Sequence, residues 1–151
     1  MPEGPILICY DGSEGARRAI ETAASLLGPR DAVVLDVGPI LTAAESMALA
    51  SSVVPGSAFE EVNRAEALVR ARQGAALANQ FGFKATERAT LAAPTWEGIV
   101  DVADELDAPV IVLGSRALPR LREFLEGGVS SDVVHHAGRP VLIVPPPDHR
   151  R

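Results

Sequence analysis

The residues of this chain best suited to chemistry lie between Gly114 and Ser131, a stretch that reads GSRALPRLREFLEGGVSS. It leaves an apolar run at Gly114 and passes into a helical pattern after Gly127 and Gly128. Backbone amides at a helix start have no partners inside the helix, and the helix dipole makes that end positive. Glycine lets the chain come close to a phosphate, and Ser130 and Ser131 add hydroxyl donors. These types in this order predict an anion site. Arg116, Arg120 and Arg122 can pair with phosphate. The residues also fit a simpler reading, in which Gly114 ends a strand, Gly127-Gly128 is a loop and the arginines are surface charge matched by Glu123 and Glu126. Local sequence leaves both readings open.

A second candidate turn, Tyr10-Asp11-Gly12-Ser13, follows the first apolar run. Ser13 beside Asp11 suggests a nucleophile, but no histidine is placed to activate it, so Ser13 reads as a helix cap. Other chemistry is excluded by what the chain lacks. Its single lysine, Lys84, sits in FGFKATE, so there is no phosphate-loop lysine of the Walker type. No G-x-G-x-x-G follows the first strand, which removes a dinucleotide dehydrogenase. A phospho-acceptor receiver would need an Asp after strand 3 and a Lys after strand 5, and neither is present. His135 and His136 are adjacent, hence roughly 100° apart on a helix, and cannot chelate as i, i+4 partners do. Cys9 reads as a small core residue, and Trp96 as core or interface. No catalytic residue and no metal site is expected.

Strands and helices must alternate to position these loops. Ile6–Tyr10 is a wholly apolar run, which marks a strand buried on both faces of a parallel sheet. Ala16, Ile20, Ala23 and Leu27 then recur at helical spacing up to Gly28-Pro29. A second buried strand is expected over Ala32–Val37. Residues 38–56 form a long excursion bracketed by prolines, with room for a short helix. Ser57 and Glu60 make a capping box for a long helix whose apolar stripe would be Val62, Ala65, Leu68, Val69, Ala75 and Ala76. Phe83–Leu91 alternates, with Lys84, Thr86, Arg88 and Thr90 on one face, and belongs at a sheet edge. Thr95 opens a helix with Trp96, Ile99, Val102, Ala103 and Leu106 on one side. Pro109–Leu113 and Pro140–Val144 read as the last two strands, separated by a helix marked by Val129, Val133 and Ala137.

This alternation implies an open, doubly wound five-stranded parallel sheet with helices on both faces. Ligands in such sheets bind at the carboxyl ends of strands where the winding reverses. The two candidate loops, after strands 1 and 4, lie there.

Composition bounds the partners. The chain has 151 residues and 47% hydrophobic residues, enough for one domain with a substantial core, expected over residues 1–147 with a disordered tail at 148–151. The formal net charge is -6, which argues against nucleic acid. The acidic total conceals an asymmetry: residues 1–113 hold 8 basic and 16 acidic groups, and residues 114–151 hold 6 and 4. No apolar run reaches the ~20 residues that cross a bilayer, and Met1-Pro2-Glu3-Gly4 lacks the basic start of a signal peptide. A single cysteine excludes an internal disulfide. A soluble, cytoplasmic protein is expected.

Several segments together resemble the universal stress protein family. They are ILICYDGS at 6–13, Ala19 and Ala23 in the first helix, VIVLGSR at 110–116, Gly127-Gly128-Val129-Ser130, and GRPVLIV at 138–144. The resemblance spans nearly the whole chain and is weakest over residues 38–56. It implies strand order 3-2-1-4-5 and ATP, with or without Mg2+, across strands 1 and 4. The family's ATP motif is Gly, two residues, Gly, nine residues, then Gly followed by Ser or Thr. Gly114 and Gly127 match its first and third glycines, but Ala117 replaces the second and Gly128 stands at the hydroxyl position. The resemblance places Asp11 at the ribose or metal-phosphate side, Val37 at the adenine and Ser130 at phosphate. Tyr10, Gly12, Ser13, Arg116 and Val129 complete the expected contact set.

The expected function is a stress-response module that binds an adenine nucleotide and acts as a homodimer. Strand 5 would lie at an edge, where the uncharged run Val141–Val144 invites antiparallel pairing of two copies through residues 140–145. The alternatives are an interaction protein of the same fold with a degenerate site, and a slow ATPase.

Overall fold

The computed structural model describes residues 2–41, 43–50, 55–115 and 128–147. Elements follow in the order β1 (Ile6–Cys9), α1 (Glu14–Leu27), β2 (Asp31–Gly38), α2 (Ala43–Leu49), α3 (Gly56–Gln80), β3 (Lys84–Leu91), α4 (Thr95–Leu106), β4 (Ile111–Gly114), α5 (Val129–His136) and β5 (Val141–Val144). The strands form one sheet in the order β3-β2-β1-β4-β5, and every pairing is parallel. This is the expected doubly wound arrangement.

The centre of the sheet is the driest part of the molecule. Ile6, Leu7 and Ile8 of β1 are fully buried, each contributing roughly 1.5–3 kcal/mol relative to exposure. Successive residues face opposite sides of a strand, which divides the core in two. On one side Ile6, Ile8 and Val34 meet Ala19, Ile20 and Ala23 of α1 and Ala75 and Ala78 of α3. On the other, Leu7, Val33, Leu35 and Leu113 meet Ile99 and Val102 of α4 and Val133 of α5.

Helix α1 begins as expected: the Ser13 hydroxyl oxygen accepts from the Ala16 amide at 3.1 Å, and Gly28 closes the helix with φ 72°. The 38–56 excursion contains the short helix α2. The half-polar strand β3 lies at an edge, opposite β5.

Two expectations about α3 are corrected. Ser57 does not cap it; Pro55 holds the cap position in an extended conformation with no side-chain bond, and the helix begins one residue before the expected box. The buried face only partly matches: of the expected stripe, Ala75 is buried and Leu68 half-buried. It consists of Ala67, Ala71, Gly74, Ala75, Leu77 and Ala78, while Val62 and Val69 are 54% and 52% exposed. Size explains the choice. A Cβ at Gly74 would lie 2.6 Å from the Tyr10 ring and 2.8 Å from Val34, so the helix sits too close to the sheet for a larger side chain.

Arg139 ties the far end of the domain together. Its Nη1 donates to the carbonyls of Ala103 and Ala108 at 2.9 and 2.8 Å, its Nε donates to Ala137 at 3.2 Å, and its Nη2 pairs with Asp104. The bonds join the carboxyl ends of α4 and α5. Trp96 packs on the second core cluster and stacks on His136, with ring centroids 4.0 Å apart. His136 Nδ1 lies 2.8 Å from the Asp132 carbonyl and donates to it.

Candidate functional site

A parallel sheet sends every strand out at one edge, so the helices that follow begin at that same edge. Here an open cleft of about 650 Å3 lies among the carboxyl ends of β1, β2 and β4. Three helix starts converge on it: Ser13 and Ala16 at α1, Thr95 at α4, and Gly128 to Ser131 at α5. The positive ends of three helix dipoles therefore share one cavity. Leu35, Val37, Ile99 and Leu113 supply an apolar wall beside them. One part of the cleft thus suits an anion and another a flat apolar ring.

The close approach of α1 to β4 shapes the floor. A Cβ on Gly114 would lie 2.4 Å from the Gly15 carbonyl oxygen and 2.9 Å from the Ala16 amide nitrogen. A Cβ on Gly15 would meet the Ser115 carbonyl oxygen at 3.0 Å. Glycine at 114 is thus demanded by backbone packing. Ser115 is buried, and its amide donates to the Val144 carbonyl at 3.0 Å, extending the β4–β5 ladder into the cleft.

At the β1 end, Asp11 Oδ1 accepts from the Ser13 amide at 3.0 Å, a turn that presents the start of α1 to the cavity. Of the expected contact residues, Tyr10, Asp11, Ser13, Val37, Gly114, Gly128, Val129 and Ser130 all line the cleft. Gly12 does not; it turns at φ 84°, with its open side 3.9 Å from the Arg70 Cδ. Arg116, Ala117 and Gly127 lie outside the described residues, as do Arg120 and Arg122. Among the described residues no three His, Cys, Asp or Glu side chains cluster as a metal site.

Gly128 needs its own account. It caps α5 at φ 156° and ψ 166° with no side-chain bond, a region that is essentially glycine's alone. Its departure from the family motif is therefore more than a missing hydroxyl.

Sequence reasoning overlooked Cys9, Asp36 and Thr95 as lining residues, while Ser131, expected as a hydroxyl donor, does line the cleft. Asp36 had a signal: it is the one charged residue in the run AVVLDV at 32–37. Thr95 could have been inferred from the rule that all helices of such a sheet begin at the ligand edge. Cys9, expected as core, is half-buried at the cleft, and burial together with the nearby Asp36 and Asp11 carboxylates pushes its thiol well above the ordinary value.

Asp36 is 5% exposed and pairs with Arg70 Nε, which reaches it from α3. Burial raises its pKa above the ordinary aspartate value, and the Arg70 bond opposes that rise. The folded state consequently holds this proton more tightly than the unfolded chain. The group's contribution to stability therefore falls as pH rises from the ordinary aspartate value through the raised one. Urea unfolding at stepped pH above the ordinary aspartate value should show this slope, and Asp36→Asn should flatten it. A variant profile parallel to wild type would reject the assignment. Arg70→Ala, which strips the buried carboxylate of its partner, should lose about 1–3 kcal/mol at neutral pH.

The comparisons with known proteins agree with this architecture. The hypothetical protein MJ0577 has a solved structure with a TM-score of 0.74 and 23% identity, covering 98% of this chain and 99% of that one. A universal stress protein solved in complex with cAMP has a TM-score of 0.61 and 21% identity, covering 95% and 98%. The universal stress protein of Archaeoglobus fulgidus, solved in complex with dAMP, has a TM-score of 0.59 and 23% identity, covering 95% and 99%. The model of the universal stress protein family matches residues 4–145, and the chain belongs to that family.

Proposed function

We propose that this protein is a stress-response module that binds an adenine nucleotide in the cleft between β1 and β4. The observation that carries the reading is the convergence of three helix starts beside an apolar wall. The amides at Val129–Ser130, with the Ser130 hydroxyl, receive phosphate. Asp11 faces the ribose or a phosphate-bound Mg2+, and Val37 with Ile99 borders the base. Two fold neighbours carry single-phosphate adenine nucleotides, cAMP and dAMP, which supports the ligand class. ATP is the larger member of the same class. The binding state is passed on through a dimer paired at the β5 edge, where Val141, Leu142 and Ile143 are only half-buried. No helix among the described residues is long and apolar enough to cross a membrane, and a cytoplasmic setting fits the reading.

The second reading is an interaction protein with a degenerate site. It is favoured by Ala117 and by a backbone at Gly128 that the motif's Ser or Thr would adopt only with strain. Thermal unfolding separates the two. A ligand held at about 100 times its Kd stabilises by about 2.7 kcal/mol, which for a chain of this size raises Tm by about 5–11 °C. AMP, dAMP, cAMP and ATP are the probes, with GMP and inorganic phosphate as controls. A rise with the adenine nucleotides alone supports the first reading. No rise with any of them supports the second.

A further inference from the structure

Two charged side chains line the cleft among the described residues, and both are acids, Asp11 and Asp36. The positive ends of the helix dipoles favour an anion there, whereas two carboxylates oppose one. The carboxylates lie within electrostatic reach of each other, since Asp11 helps to raise the pKa of Asp36, and both act on Cys9 beside them. Asp36 is buried, so salt screens its charge little. An anionic ligand in this cleft therefore gains from a cation that cancels the charge of Asp36.

Arg70 is that cation. It stands on α3, outside the cleft lining, and its Nε donates to Asp36 Oδ2. Close packing holds α3 at this place. One turn further along, Gly74 lies so near the sheet that a Cβ would stand 2.6 Å from the Tyr10 ring and 2.8 Å from Val34. The Arg70 stem passes beside the turn after β1, its Cδ 3.9 Å from where a Gly12 Cβ would be. Arg72, Arg88 and Arg139 are engaged elsewhere, with Glu87, Glu105 and Asp104. Ala89, the β3 partner of Asp36, carries no charge.

We propose that Arg70 sets the preference of this cleft for anionic over neutral ligands, by cancelling the charge of Asp36 on the cleft wall. This role rests on nucleotide binding in the cleft and adds to it a residue that touches no ligand. Arg70 is a positioning residue: it acts through Asp36, and its loss leaves a buried carboxylate facing the nucleotide. The sign of each substitution follows. Without Arg70 the cleft is more negative, without Asp36 it is more positive, and without both it returns to the wild-type balance. A purely structural pair would instead give losses of the same sign for every ligand.

Calorimetric titration with deoxyadenosine and dAMP, direct or by competition, tests this role, because the two ligands differ only in the phosphate. At pH 8 that phosphate carries its full charge, its second pKa being about 6. The ratio of the two affinities cancels any effect on base or sugar. Arg70→Met should lower the preference for dAMP about tenfold, and Asp36→Asn should raise it. The double variant should return to within about twofold of wild type, and Arg70→Lys, which keeps the charge, should stay near it. Single variants that leave the preference level, or move it in the same direction, overturn the proposal. Should Arg70→Met fail to fold, Asp36→Asn alone decides, and a preference at or below that of wild type overturns it. A wild-type chain that binds neither ligand removes the nucleotide reading and this role with it.

Discussion

Replacing Gly114 by alanine is expected to lower stability by about 3 kcal/mol, the upper end of what overpacking costs, and Tm by about 6–12 °C. The new Cβ would lie 2.4 Å from the Gly15 carbonyl oxygen, 2.5 Å from the Gly15 carbonyl carbon and 2.9 Å from the Ala16 nitrogen. All three atoms are backbone in the first turn of α1, so no side chain can rotate away to make room. Relief requires α1 and β4 to separate, which opens the Ile8–Ala19 side of the core and widens the cleft floor together. Gly28→Ala is the control. Gly28 has φ 72° and nothing within 4 Å of a new Cβ, so only the left-handed backbone matters, at roughly 1–2 kcal/mol. A Gly114 variant no less stable than the Gly28 variant would refute the close α1–β4 packing.

Ala117→Gly is expected to raise ATP affinity about tenfold and to leave dAMP unchanged. The second glycine of the family motif falls at 117. A left-handed backbone at an alanine costs roughly 1–2 kcal/mol, and each 1.4 kcal/mol is tenfold in affinity. Position 117 is expected to serve the phosphates beyond the first, which dAMP lacks. Gly128→Ser should not add to the gain. The hydroxyl restores a hydrogen bond of about 0.5–1.5 kcal/mol, but a serine at φ 156°, ψ 166° costs about 1–3 kcal/mol. Competition titrations of ATP against dAMP measure both effects. Equal gains for the two ligands, or a larger gain from Gly128→Ser than from Ala117→Gly, would show that the loop is not read this way.

The fold was legible because the strands announce themselves. Ile6–Ile8, Ala32–Leu35 and Ile111–Leu113 are unbroken apolar runs, as central parallel strands must be, and the turn residues Asp11-Gly12, Gly28-Pro29 and Gly138 separate them from helices. Helix α3 was misread for a physical reason. Periodicity ranks helix faces by hydrophobicity, whereas a sheet at close range selects them by size. The face of Val62 and Val69 scores higher, but the face of Ala67, Ala71 and Gly74 is the one that fits against Tyr10 and Val34.

The candidate site divides along a similar line. Asp11, Ser13, Gly114 and Ser130 were visible because each sits in a turn or cap with a local signature. Asp36 and Thr95 reach the cleft through tertiary geometry, one from the carboxyl end of β2 and the other through the common direction of the helices. Gly114 shows how one residue can satisfy two demands. Its spacing is that of a phosphate-loop glycine, and the structure gives it a packing reason that operates with or without a ligand.

The central claim is that the cleft of three helix starts binds an adenine nucleotide. Calorimetric titration of the wild-type chain with dAMP tests it most directly. The account predicts a saturable heat at one nucleotide per chain, weakened by Asp11→Ala and absent with dGMP. No saturable heat with dAMP, cAMP or ATP would contradict it.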